Sequence, residues 1–141
     1  MIDISAITKA VKALLDANLT GYVIERNAER NEDPNVAAQG SGWINVLRGP
    51  VKYRPYSTGA KLWKPEIHIV IELQYAHQDK GLAEDGLQAG EKAILDVLTA
   101  NRTLSGTVLM TMGYDIDYEY NKTEEIYHHA SIITIIAETR I

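Results

Sequence analysis

The run Pro65-Glu-Ile-His-Ile-Val-Ile-Glu-Leu-Gln-Tyr75 limits what this chain can become more than any other stretch. Ile67, Ile69, Ile71 and Leu73 recur at every second position, so they share one face of a strand. Glu66, His68, Glu72 and Gln74 take the other face, where Val70 joins them and leaves it only partly polar. A strand with one apolar and one wetter face fits an antiparallel or edge-exposed sheet. In a doubly wound parallel sheet both faces would be apolar. The rest of the chain therefore has to cover one face of a sheet.

Two helical patterns can supply that cover. From Ile2 to Asn18, the residues Ile4, Ile7, Val11, Leu14 and Leu15 fall on one stripe, with Lys9, Lys12 and Asp16 off it. Asp3 or Ser5 can cap the start, and Asn18 with Gly21 can end it. The second helix covers about Gly81 to Asn101, with Ala83, Leu87, Ile94, Val97 and Leu98 as its inner stripe. Gly86 and Gly90 cost about 1 kcal/mol each relative to Ala inside a helix. They point to fraying of the first turns or to close approach of another backbone.

The remaining strands follow from composition and breakers. Tyr22 to Arg26 reads as a short strand and Trp43 to Arg48 as another, broken by Gly49-Pro50 and resumed over Val51 to Tyr53. Between them Asn27 to Gly42 is polar and aperiodic, a long loop for so small a domain. Arg54 to Lys64 reads as an extended hairpin tip. After the turn Asn101-Arg-Thr-Leu-Ser-Gly106, strands over Val108 to Tyr120 and Tyr127 to Glu138 form a hairpin around Asn121 to Glu125. Ile132, Ile133, Ile135 and Ile136 make the last strand apolar on both faces, so it is central or covered by a neighbouring subunit. The order is α-β-β-β-α-β-β. The fold class is α+β: one domain over residues 1–141, a mainly antiparallel β-sheet with two helices packed on one face.

Charge and residue usage narrow the function. The net charge is −5, with 14 Lys and Arg against 19 Asp and Glu, which argues against a general or sequence-specific nucleic-acid binder. Without cysteine there is no disulfide scaffold, thiol catalysis or thiolate metal site. The start Met-Ile-Asp-Ile-Ser has neither a basic nor an apolar signal region, and no apolar run approaches a bilayer span. Folding in the cytoplasm, with no membrane partner, is the expectation. Phe is absent, and eight Tyr with two Trp supply the aromatics, side chains suited to half-buried positions at strand edges or subunit contacts.

Each candidate site has a plainer reading. His128 and His129 are adjacent on a strand and point to opposite faces, and nothing pairs with His68 or His77 at a ligand spacing. Asp115, Asp117 and Glu119 lie on one strand face, alternating with Ile116, Tyr118 and Tyr120. They suit a cation site, an acid/base pair or a solvated acidic row. Paired catalytic carboxylates need environments that separate their pKa values, which an open row does not provide. Turned into a shared lumen, the row would repel an anionic polymer. Gly40-Ser-Gly42 is not a nucleophile elbow, and the glycines from Gly81 to Gly90 lack the lysine and hydroxyl of a phosphate loop. No catalytic, cofactor or metal site is expected. The basic-aromatic segment Lys52, Tyr53, Arg54, Tyr56, Lys61, Trp63 and Lys64 suits nucleic acid or an acidic protein surface, the second fitting an acidic protein better. Its plainer reading is a solvated hairpin tip whose lysines discourage edge pairing.

Trp63-Lys-Pro65, Leu104-Ser-Gly106 and Asp115-x-Asp117, in the order strand, helix, turn and acidic strand, resemble the tail terminators and related tail-completion proteins of long-tailed bacteriophages. The resemblance covers most of the chain and is best from Trp63 to Ile141. Its motifs belong to a fold and not to a chemistry, so no catalytic or ligand residue is carried over. The resemblance implies a structural, non-enzymatic protein of the virion, assembled in the host cytoplasm. It would form a homo-oligomeric ring, a hexamer, at the head-proximal end of the tail. There it would end tail-tube polymerisation and form the interface for head attachment. Its partners would be other copies of itself, the major tail tube protein and a head-completion or connector protein. A ring uses two different patches on each copy. The interface candidates are Tyr53, Arg54, Tyr56, Lys61, Trp63 and Lys64 on one side and Asp115, Asp117 and Glu119 on the other. The alternative is a head-tail connector of the neck, and a small cytoplasmic enzyme is the third reading.

Overall fold

A computed structural model describes residues 3–27, 42–55, 63–123 and 126–138. The elements are α1 (Ile4–Asn18), β1 (Tyr22–Arg26), β2 (Gly42–Pro55), β3 (Trp63–His77), α2 (Lys80–Ala100), β4 (Met110–Thr123) and β5 (Ile126–Glu138). The α-β-β-β-α-β-β order and the α+β class are those expected from the sequence. The five strands form one sheet in the order β1-β2-β3-β5-β4. Only β1 and β2 run parallel; every other pair is antiparallel. A parallel pair needs a crossover of a dozen or more residues. The long polar segment read as a loop, residues 28–41, lies between these two strands and outside the described residues.

The helices begin at side-chain caps. Asp3 Oδ1 accepts from the Ala6 N–H at 2.9 Å, and Asp79 Oδ1 accepts from the Leu82 N–H at 3.0 Å, each satisfying a donor that the first turn leaves open. Of the two capping candidates for α1, Asp3 is the one used, so the helix starts at Ile4 and not at Ile2. One face of the sheet meets both helices. Ile7, Val11 and Leu15 of α1 and Leu87, Ile94 and Leu98 of α2 are buried there with Ile44, Val46, Ile67, Ile69, Ile71, Leu73, Ile133 and Ile135.

Three local readings change. Gly49-Pro50 does not break β2. The strand runs through with a register shift between Arg48 and Val51, the kind of irregularity that tolerates a residue without an N–H. Gly86 and Gly90 lie inside an intact helix, and what approaches them is side chain, not backbone. A Cβ at Gly86 would stand 2.2 Å from the Tyr75 ring, and one at Gly90 would stand 2.8 Å from Leu73 Cδ2. The glycines thus let α2 lie directly on β3. Finally, β4 begins at Met110 because Leu104, Ser105 and Gly106 all take positive φ and keep the chain in a turn. Leu104 does so while fully buried, so core packing holds a conformation that a leucine rarely adopts alone.

The last strand is central, as its doubly apolar pattern implies: β5 pairs with β3 on one side and β4 on the other. That leaves β4 as an edge of the sheet.

Candidate interaction surface

β4 owes its two faces to period-two alternation, and its register with β5 assigns them. Tyr114, Ile116, Tyr118 and Tyr120 stand opposite Ile135, Ile133, Ser131 and His129, on the face that the helices cover elsewhere. Asp115, Asp117 and Glu119 stand opposite Thr134, Ile132 and Ala130 on the second face. The helices do not reach this far across the sheet. Ile116 is 44% exposed, Tyr118 55% and Tyr120 45%, and all three carboxylates are exposed. At its start the outer edge of β4 is tied down: the Thr111 N–H donates to the Arg102 carbonyl at 2.8 Å, and the Thr111 carbonyl accepts from the Arg102 guanidinium at 3.2 Å. Beyond Thr111 no strand among the described residues pairs with that edge.

The apolar side of this edge is joined to the body through His129. That side chain is only 2% exposed, with its ring 5.6 Å from Tyr118 and 5.1 Å from Tyr120. The Tyr118 hydroxyl shares a hydrogen bond with Nδ1, while Nε2 has no partner among the described residues. Burial, seconded by Lys80 and His128, holds the imidazole below its ordinary pKa, against an opposing pull from Glu84. Burial also raises the Tyr118 hydroxyl, with Glu84 and Tyr120 adding to it. Both groups are therefore neutral near pH 7, which suits an aromatic cluster better than an acid/base pair. Lys80 Nζ lies 5.3 Å from the Tyr120 ring centre, and Ser131 donates to Glu91 beneath the helix.

The opposite end of the sheet carries the basic-aromatic segment. Tyr53 is 57% exposed and Lys52 is exposed beside it. In register Lys52 opposes Glu66, Tyr53 opposes Pro65, Arg54 opposes Lys64 and Pro55 opposes Trp63. Tyr56 and Lys61 lie outside the described residues. β1 pairs with β2 only from Gly42 to Val46, so Leu47 to Pro55 also presents an outer edge with no described partner. Within one copy the acidic row lies on β4 and Lys52 and Tyr53 on β2, toward opposite sides of the sheet with β3 and β5 between them.

The histidines occupy separate settings. His68 Nε2 lies 2.9 Å from Glu66 Oε1, His77 Nδ1 accepts from the Asp79 N–H at 2.9 Å, and His128 is on the face opposite His129. The described residues contain no group of three His, Asp or Glu placed to hold a metal ion, and no described helix is long and apolar enough to cross a membrane. Sequence reasoning noted Ile116, Tyr118 and Tyr120 only as the residues between the acidic ones. The available signal was an apolar alternation on a strand whose other face is fully charged, the pattern of a strand with one side left for a partner.

No family model matches the chain, and no curated protein matches it. Among solved structures it is similar to a chain described as "Virion of native gene transfer agent (GTA) particle", with a TM-score of 0.34 and 11% sequence identity, covering 94% of this chain and 91% of that chain. A score that low carries no residue role from one chain to the other.

Proposed function

We propose that this chain is a structural, non-enzymatic virion protein that caps a phage-type tail tube as a homo-oligomeric ring. The observation that carries the reading is the edge strand β4. It is 14 residues long, has no strand paired with its outer side among the described residues, and exposes Ile116, Tyr118 and Tyr120 beside a carboxylate row. An edge of that length, with aromatics held in place by a buried histidine, suits assembly with other protein. The order of elements and the Leu104-Ser-Gly106 and Asp115-x-Asp117 segments, which resemble tail terminators, support the particular role. In that role the ring sits on the head-proximal end of the tail, stops tube growth and presents the surface for head attachment.

The test is to polymerise the major tail tube protein of the same genome with and without this chain. Capping predicts short tubes of uniform ending, with rings on one end in electron micrographs. A chain that leaves tube length unchanged and instead binds the portal side of heads would be the neck connector, the second reading.

A further inference from the structure

Resting on that reading, we infer that copies of this chain join edge to edge, β4 of one pairing with the Leu47–Pro55 edge of β2 in the next, to make a sheet continuous between subunits. Strand directions allow it. β5 is antiparallel to β3 and β4 to β5, while β2 is antiparallel to β3. Side by side in the same orientation, β4 of one copy therefore meets β2 of the next as an antiparallel pair.

The faces match as well. Lys52 shares a row with Glu66, and Glu66 with Glu138, so Lys52 belongs to the face opposite the helices. Asp115 shares rows with Thr134 and, through it, Val70, which places the carboxylates on that same face. Tyr53 is in register with Pro65 on the helix side, as are Ile116 and Tyr118 with Ile133 and Ser131. Docking thus sets Asp115, Asp117 and Glu119 against Lys52, and against the register position of Arg54, on one face. It sets Ile116 and Tyr118 against Tyr53 on the other. Cross-strand pairs of opposite charge and of aromatic with β-branched residues are the ones that stabilise neighbouring strands.

Two competing partners are disfavoured by the same rows. Pairing β4 with β4 about a two-fold axis would oppose the carboxylates to one another. Pairing β4 with the short β1 would bring Glu25, in register with Asn45 on the acidic side, against the same row. The contact is therefore heterologous, the type that closes into rings. It also carries a stagger. Within a copy the Asp115 row crosses β3 at Val70 and the Lys52 row crosses it at Glu66. Successive copies must slide by at least this four-residue offset, about 13 Å at roughly 3.3 Å per residue. A ring accommodates such a slide by tilting its strands to the axis.

Charge-swapped complementation tests the contact. One variant carries Asp115→Lys and Asp117→Lys; the second carries Lys52→Glu and Arg54→Glu. Each alone should remain monomeric by light scattering at concentrations where the wild type assembles, with an unchanged circular dichroism spectrum. Mixed in equal amounts they should assemble, because every contact in an alternating ring is then either wild type or reversed on both sides. Rings formed by either variant alone would overturn the edge contact while leaving the capping role standing. Failure of the mixture to assemble would overturn it too. A wild type that stays monomeric throughout would overturn the contact as a source of self-association, and failure to shorten tubes would then remove the capping role independently.

Discussion

Ile71, Ile133 and Ile116 stand in one row across β3, β5 and β4, on the same face of the same sheet. Ile71 and Ile133 are fully buried, whereas Ile116 is 44% exposed. The three side chains are chemically identical and obey the same alternation, so the difference lies in what is above them. α2 settles on β3 and β5, where Gly86 and Gly90 admit Tyr75 and Leu73. Its cover ends before β4. The centre of the sheet is thus a finished core, and its β4 edge is an apolar strip with a charged underside.

The comparison can be broken at several points. The largest expected effect is at the centre: Ile71→Ala should cost about 2–5 kcal/mol in urea unfolding, the range for deleting a packed core side chain. Gly86→Ala should cost about 1–3 kcal/mol, since its Cβ would overlap the Tyr75 ring. Adding Tyr75→Ala should recover part of the helix–sheet fit, so a double variant less stable than the sum of the singles would show that the ring is not what limits α2.

The link between centre and edge should respond to pH. His129 is held below its ordinary value of 6.5 in the folded chain, so the unfolded chain takes up more protons in the window below 6.5. Stability is therefore full above that value and declines as pH falls from it toward the folded-state pKa. The urea midpoint should drop between pH 7.5 and 5.5, and His129→Gln should flatten that drop. An equal drop in both proteins would assign the effect to other groups. The smallest change should come at the edge itself: Ile116→Ala should cost under about 1 kcal/mol in the monomer, because little burial is lost. A cost as large as that of Ile71→Ala would mean that the edge is already covered in solution.

Much of the fold was legible because periodicity reports which face a side chain takes. The alternation of Ile67 to Leu73 and the stripes of both helices placed the core correctly. The Ser131 to Ala137 segment, with isoleucines on both faces, left β5 either central or covered by a neighbouring subunit, and the pairing with β3 and β4 makes it central. The candidate interaction surface was legible in part. The acidic row was visible as a row, but the aromatic strip beside it was not, since Ile116 and Tyr118 alternate as regularly as core residues do. Gly49-Pro50 misled because a breaker in sequence can be absorbed as a register shift when the flanking strand is well paired. His129 was invisible for a different reason: its burial depends on Tyr118 and Tyr120 packing around it from the next strand.

By itself, then, the sequence determined the elements, their faces and the charge of the β4 underside. These follow from backbone geometry and solvation, which act over a few residues. Only the tertiary structure decided that β5 is inserted between β3 and β4, that α2 stops short of β4, and that the carboxylate row and Lys52 lie toward opposite sides of the sheet. Those outcomes depend on strand order and helix placement, set by packing between residues far apart in the chain. They are what turn an ordinary amphipathic strand into an edge with one side left open.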